Sequence, residues 1–93
     1  METRDERKDV DQDKVQAILA SLTLPSELDR VETSYGTDHT GDPAVFLTFY
    51  LKPDVHVERE EIRPLSRFIS GVVGELLNAD VGGFPYTRLE DAA

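Results

Sequence analysis

The stretch Pro43-Ala-Val-Phe-Leu-Thr-Phe-Tyr-Leu51 is the longest apolar run in the sequence, and it decides the fold. Turn-forming residues flank it, and β-branched and aromatic residues dominate it, so the run predicts a strand rather than a helix. Both alternating faces of this strand are apolar. The two sets are Val45, Leu47, Phe49 and Leu51, and Ala44, Phe46 and Tyr50 with Thr48. Such a strand lies at the centre of a small sheet, or at an edge that a partner covers.

Length and composition indicate one small domain. The chain has 93 residues and no cysteine, which excludes a disulfide framework and thiolate chemistry. A domain of this size buries only about 60–65% of its unfolded surface, so oligomerisation or a partner is an option for added stability. No apolar stretch is long enough to span a membrane, and the N-terminus lacks the apolar core of a secretory signal. We therefore expect a cytoplasmic protein with no membrane partner.

The net charge is −9, from 19 acidic and 10 basic residues. Such a charge favours solubility, attracts basic partners and repels phosphate backbones. One interpretation is acidity for solubility alone, as in many small bacterial proteins. The other is an acidic surface that docks on a basic protein.

Periodicity orders the rest of the chain. Residues 1–9 hold seven charged side chains and predict a disordered tail. A helix follows through about residue 22, capped by one of three aspartates, and residues 29–36 alternate as a half-exposed strand. A polar turn, Gly36–Pro43, joins this strand to the central one as a hairpin. The candidate caps are Asp9, Asp11 and Asp13, and the apolar stripe of the helix is Val15, Ile18, Leu19 and Leu22.

A second helix and a last strand complete the domain. Pro64 suits the first turn of this helix, which runs to about Asn78. Gly82-Gly83 then form a turn before a short strand ending near Leu89, in which Pro85 indicates an edge position or the first residues of the strand. The apolar stripe of the helix is Ile62, Leu65, Phe68, Ile69, Val72, Val73, Leu76 and Leu77.

The predicted fold class is α+β, a two-layer sandwich of order α-β-β-α-β, with a three-stranded sheet and two helices on one face. A single domain covers residues 10–89, and residues 90–93 form a loose C-terminus. With both helices on one side, the far face of the sheet keeps either the Ala44, Phe46 and Tyr50 set or the Val45 set uncovered. An exposed apolar patch of this kind is typical of an interaction site.

Two glycines, Gly71 and Gly74, interrupt the second helix on the side opposite its apolar stripe, beside Arg67. Each costs about 1 kcal/mol relative to alanine in a helix interior. They are tolerated glycines, or they break the helix in two, or they provide a flat outer surface for packing.

The order of elements, with Ile69-Ser70-Gly71-Val72-Val73-Gly74 in the second helix, resembles type II KH RNA-binding domains. In outline the chain is also similar to the KH-like ribosome-binding factor A family. That family has an Asp before an Ala-Val segment, which Asp42 and Ala44-Val45 would match here. It also has a Pro-containing final strand, which Phe84-Pro85-Tyr86 would match. The resemblance covers about residues 11–89. It implies a KH-like fold and, as an alternative function, an RNA-binding or ribosome-associated factor that contacts RNA through Arg67, Gly71 and Gly74.

Two departures separate the chain from RNA-binding members of that family. Valines stand between its glycines where the family places basic or small polar residues, and its charge is acidic. RNA is therefore a partner that the charge disfavours.

No catalytic or metal-binding pattern accompanies the predicted fold. His39, in Asp38-His39-Thr40-Gly41-Asp42, belongs to a polar turn, since a metal site needs three or four convergent ligands. His56 stands between two valines and faces solvent or a partner. No Ser/His/Asp order or phosphate-binding glycine loop is present. We expect no enzyme activity, no cofactor and no small-molecule substrate.

The predicted function is protein–protein contact. Tyrosine and arginine concentrate at binding hot spots, and a short edge strand can accept an added strand. The partner is a second copy of the chain or a basic protein that the chain regulates, in the manner of an antitoxin. The candidate partner-binding residues are Phe46, Tyr50, Phe84, Tyr86 and Arg88.

Overall fold

Two helices and three strands make up the fold in the computed structural model, which describes residues 10–53, 55 and 59–91, without the side chains of residues 59–62. The elements are α1 (Gln12–Ala20), β1 (Leu28–Thr37), β2 (Pro43–Leu51), α2 (Arg59–Ala79) and β3 (Phe84–Asp91). The predicted α-β-β-α-β order is confirmed. The predicted N-terminal tail, His56 and residues 92–93 lie outside the described residues.

Strand β2 is the centre of the sheet, as its apolar sequence predicts. The strand order is β1-β2-β3. Strand β1 pairs with β2 antiparallel through the hairpin, whereas β3 pairs with β2 parallel. Parallel neighbours need a crossover connection, and helix α2 supplies it between the end of β2 and the start of β3. The sheet is therefore mixed.

Both helices pack on one face of the sheet, which confirms the two-layer arrangement. On β2 this face carries Val45, Leu47 and Phe49, which are almost completely buried. Val15 from α1 and residues from α2 meet them there. The buried apolar cluster is Val15, Leu28, Val45, Leu47, Phe49, Leu51, Leu65, Val72, Leu76 and Val81.

Helix α1 begins at a cap that the sequence offers and is tied to the end of α2. The Asp11 carboxylate accepts the backbone N–H of Lys14 (3.1 Å), as an N-cap does. The Asp11 backbone N–H donates to the carbonyl of Val81 (2.7 Å), and Lys14 Nζ donates to the carbonyl of Ala79 (3.1 Å). The helix ends at Ala20, two residues earlier than predicted.

Helix α2 is longer than the sequence predicts. It begins at Arg59, so Pro64 is its sixth residue rather than part of its first turn, and that prediction is wrong. Proline at this position supplies no N–H to the carbonyl four residues earlier. No helix in the described part of the chain is long and apolar enough to cross a membrane.

The apolar stripe of α2 is narrower than predicted. Leu65, Val72 and Leu76 are buried in the core, but Leu77 is 50% exposed. Leu77 follows Leu76 by one position, which turns its side chain about 100° away around the helix. It therefore lies beyond the side that packs on the sheet.

Strand β1 and the last strand are longer than predicted, whereas the central strand has the predicted bounds Pro43–Leu51. The hairpin turn shrinks to residues 38–42 because β1 continues to Thr37 and β2 starts at Pro43. A register irregularity lies between Leu28 and Arg30 rather than at the turn. Strand β3 is an edge strand with Pro85 as its second residue, as predicted. It continues through Asp91, so residues 90 and 91 are not a loose terminus.

Candidate functional site

The sheet face opposite the helices, here called the outer face, brings the predicted partner-binding residues together. The pairing register aligns Phe46 with Tyr86, and side chains of paired residues share a face. No helix of the described chain covers this face. Its residues are Arg30, Glu32, Ser34 and Gly36 from β1, Ala44, Phe46, Thr48 and Tyr50 from β2, and Phe84, Tyr86, Arg88 and Glu90 from β3.

One end of the outer face, the aromatic end, consists of Phe46, Phe84 and Tyr86. The rings of Phe46 and Tyr86 stack with centroids 5.7 Å apart, and Phe84 contacts Tyr86 edge-on at 5.1 Å. Phe84 is nevertheless 50% exposed. Aromatic pairs at these separations gain about 0.5–1.5 kcal/mol beyond burial, so the cluster holds a defined arrangement while remaining open to solvent.

The opposite end of the outer face, the charged end, combines arginines with carboxylates and Tyr50. Arg30 donates to Glu32 (2.9 Å), and its guanidinium carbon lies 4.0 Å from the centre of the Tyr50 ring. Arg88 pairs with Glu90 across 2.6 Å. The bond from Arg30 lowers the pKa of Glu32, and partial burial, with the Glu32 carboxylate nearby, raises the pKa of Tyr50. Each arginine is thus neutralised on the face itself.

The hairpin turn locks onto the aromatic end through Asp38. Asp38 Oδ1 accepts Thr40 Oγ1 (2.6 Å) and the backbone N–H groups of Thr40 (2.9 Å) and Asp42 (3.0 Å). Its other oxygen accepts the Tyr86 hydroxyl at 2.9 Å. The bond from the Thr40 hydroxyl, then those from the Asp42 backbone and Tyr86, hold the pKa of Asp38 well below its ordinary value. The same bond to Asp38 raises the pKa of Tyr86.

This network predicts acid sensitivity at the turn. Because the folded pKa of Asp38 is lowered, its stabilisation is complete above about pH 5 and is lost progressively as pH falls from the unfolded value of about 3.9 toward the lower folded value. We expect Asp38→Asn to be less stable than the wild type at pH 7 and to lose less stability between pH 5 and pH 3. Urea unfolding followed by circular dichroism at several pH values measures both effects.

Asp42→Asn is the matched control, because it removes the same charge from the same turn. In the described structure the Asp42 carboxylate accepts one bond, from Thr40 Oγ1 at 3.2 Å. We expect this variant to keep most of the pH dependence of the wild type. Equal pH dependence in Asp38→Asn and the wild type would contradict the assignment.

An apolar groove continues the aromatic end around the edge of the sheet. Its volume is about 200 Å³, and Leu77 and Phe84, both 50% exposed, line it together. The turn between α2 and β3 forms its floor, where Asp80 (φ 55°) and Gly82 (φ 93°) adopt left-handed conformations. Exposed apolar surface therefore extends from Phe46 to Leu77.

The residues suggested by the KH resemblance lie elsewhere. Arg67 and Gly71 are exposed on α2, in the helical layer, and Gly74 is half-buried. The helix is continuous through both glycines, and a Cβ added at either would meet nothing within 4 Å. Of the three interpretations of the glycines, a broken helix is wrong. The Arg67 side of α2 and the outer face are separate surfaces.

A second depression is an open polar cleft of about 620 Å³ between the start of α1 and the hairpin. Gln16 Nε2 donates to the Tyr35 hydroxyl (2.8 Å) beside it. Among the described residues no group of three or more histidine, aspartate or glutamate side chains could hold a metal ion. The residues lining the cleft are Val10, Asp11, Gln12, Asp13, Tyr35, Gly36, Thr37 and Pro43.

The structure adds residues to the candidate site that sequence reasoning missed. Arg30 and Glu32 belong to the charged end, and Leu77 borders the aromatic end. The alternation in β1 places Arg30 and Glu32 on the strand face opposite Val31, and this pattern is visible in the sequence. The pairing register was needed to place them beside Tyr50.

Comparison with protein-family models, curated proteins and solved structures finds no match for the chain.

Proposed function

We propose that the protein acts by binding another protein chain through the outer face. The observation that carries this proposal is the aromatic end, where Phe84 is half exposed on a sheet face that neither helix covers. Contiguous exposed apolar surface of this kind is rare on soluble monomers and marks interaction sites. The cluster is also ordered, through ring contacts and the bond from Tyr86 to Asp38.

The chemistry of the outer face supports contact with protein. Tyrosine and arginine concentrate in the energetically dominant parts of interfaces, and Tyr50, Tyr86 and Arg88 all lie on this face. Preformed aromatic side chains lose little conformational freedom on binding. A second copy of the chain and a basic protein attracted by the charge of −9 both fit this mode of action.

The proposal predicts that binding depends on the outer face and not on apolar exposure in general. We expect Phe84→Ser to lose association by about tenfold or more, because Phe84 is the most exposed ring of the aromatic end. Leu89→Ser is the matched control. Leu89 lies on the same strand and is 39% exposed, but its side chain belongs to the helix side of the sheet.

Light scattering of the purified chain and affinity capture from a lysate of the source cells measure the association. Capture with and without nuclease separates a protein partner from RNA that binds on the Arg67 side of α2. Equal loss from Phe84→Ser and Leu89→Ser would contradict the proposal, as would binding that nuclease abolishes. Circular dichroism of each variant confirms that it folds.

A further inference from the structure

We infer that the outer face binds a second copy of this chain, with the two sheets stacked face to face and their strands running in opposite directions. The inference rests on the proposed function and specifies the partner. It makes the active form of the protein a symmetric dimer in which each aromatic end lies against the partner's charged end.

Charge selects a second copy over a basic protein. The chain carries −9, so two copies repel each other over most of their surfaces. On the outer face the charges nearly balance, because Arg30 pairs with Asp29 and Glu32 (2.9 Å each) and Arg88 pairs with Glu90 (2.6 Å). Two identical acidic chains can approach most closely there. A basic protein would find little excess negative charge at this face, because its carboxylates are already paired with its arginines.

Charge also selects the orientation. Asp38 and Asp42 lie beyond the aromatic end, whereas Arg30 and Arg88 lie toward the opposite end of the face. A two-fold axis along the strands would bring both acidic turns together. A two-fold axis across the strands separates the turns and places each beside the partner's charged end, where arginines and carboxylates are paired.

The antiparallel stack also repeats a contact that the chain already makes. Within one copy, the guanidinium of Arg30 lies 4.0 Å from the Tyr50 ring centre. Between copies, β3 would stack on the partner's β3, so that Arg88 would lie over the rings of the partner's aromatic end. An arginine over an aromatic face is attracted by the charge distribution of the ring.

The size of the face suits a modest dimer. Three strands about 4.8 Å apart and seven residues long, at about 3.3 Å per residue, give a footprint of about 14 by 23 Å. With side-chain relief, two such faces would together bury on the order of 1,000–1,200 Å², the lower end of specific interfaces. We therefore expect a dimer that dissociates on dilution.

Light scattering across concentrations and a single spin label test the inference in the full chain. The chain has no cysteine, so His39→Cys, at the exposed tip of the hairpin turn, gives one label for each copy. The antiparallel stack places the two labels at opposite ends of the interface, about 35 Å apart, whereas an axis along the strands places them about 10–15 Å apart. Double electron–electron resonance detects the long distance, and dipolar broadening of the continuous-wave spectrum detects the short one.

Charge reversal gives an independent readout. We expect Arg88→Glu to weaken the dimer about tenfold, since it sets acidic groups against the partner's acidic turn. The double variant Asp42→Arg/Arg88→Glu reverses the charge at both ends and should recover much of the loss. Phe84→Ser should give a monomer, and Leu89→Ser should leave the dimer intact.

A chain that stays monomeric at about 500 µM would overturn this inference, which requires a dimer dissociation constant below that concentration. If such a monomer still captured a different protein through Phe84, the proposed function would stand and the second-copy partner would fall. A monomer with no captured protein would remove both. A dimer with the short label distance, or without recovery in the double variant, would overturn the antiparallel stack.

Discussion

Phe49→Ala should lose about 3–5 kcal/mol of the free energy of unfolding, the range for removing a buried phenylalanine ring. Phe49 lies on the central strand with none of its surface exposed, and its ring meets the edge of Phe68 with centroids 6.2 Å apart. A chain of this length has a total stability of about 5–14 kcal/mol. We therefore expect the variant to be partly unfolded or to melt at a far lower temperature.

Phe46→Ala is the matched control, since it removes the same ring from the same strand on the opposite face. Phe46 is only half-buried and stacks on Tyr86 rather than filling the core. We expect a loss of about 1–2 kcal/mol, because less apolar surface returns to water. Urea unfolding followed by circular dichroism measures both losses. Equal losses would mean that another chain covers the outer face as completely as the helices cover the opposite face.

Local patterns were sufficient to predict the order of the elements. Pro43–Leu51 has the composition of a central strand, and it is the central strand of the sheet, with β1 on one side and β3 on the other. The alternation around Val31 and the helical stripe from Leu65 to Leu76 each match one burial side in the structure. These elements follow from periodicity because one face of each is buried in the same core.

Element ends were predicted less well, because tertiary contacts compete with local signals. Pro64 indicates a helix start, but the helix begins five residues earlier, at Arg59. The first helix ends at Ala20, where the backbone N–H of Ser21 donates to the carbonyls of Ala17 and Ile18. Leu77 is an apolar residue of the kind found in cores, but its side chain is half exposed at the surface.

The candidate site shows the same division between local and long-range information. The residue types of Phe46, Tyr50, Phe84 and Tyr86 mark them as binding candidates, and strand alternation places each pair on one face. Their assembly into a single surface depends on the register between β2 and β3. The bond between Tyr86 and Asp38 joins residues 48 positions apart, and no local pattern signals it.

The double variant Gly71→Ala/Gly74→Ala should raise the free energy of unfolding by about 1–2 kcal/mol, because each glycine costs about 0.5–1 kcal/mol relative to alanine in a helix. Both glycines lie inside the continuous helix α2, and a Cβ at either position meets nothing within 4 Å. The added methyl groups therefore reduce the freedom of the unfolded chain without a clash in the folded one. Thermal unfolding should show a rise of about 5–15 °C for a domain of this size.

Gly82→Ala is the control of opposite sign. Gly82 has a φ of 93°, which an alanine rarely adopts, so the same substitution there should destabilise the chain by about 1 kcal/mol or more. A rise for the helix pair with a fall for Gly82 would show that backbone conformation sets the sign. A fall for the helix pair would mean that the glycine side of α2 packs against another chain in solution. That result would favour an interface on the helical layer over one on the outer face, because only a covered surface would reject two methyl groups.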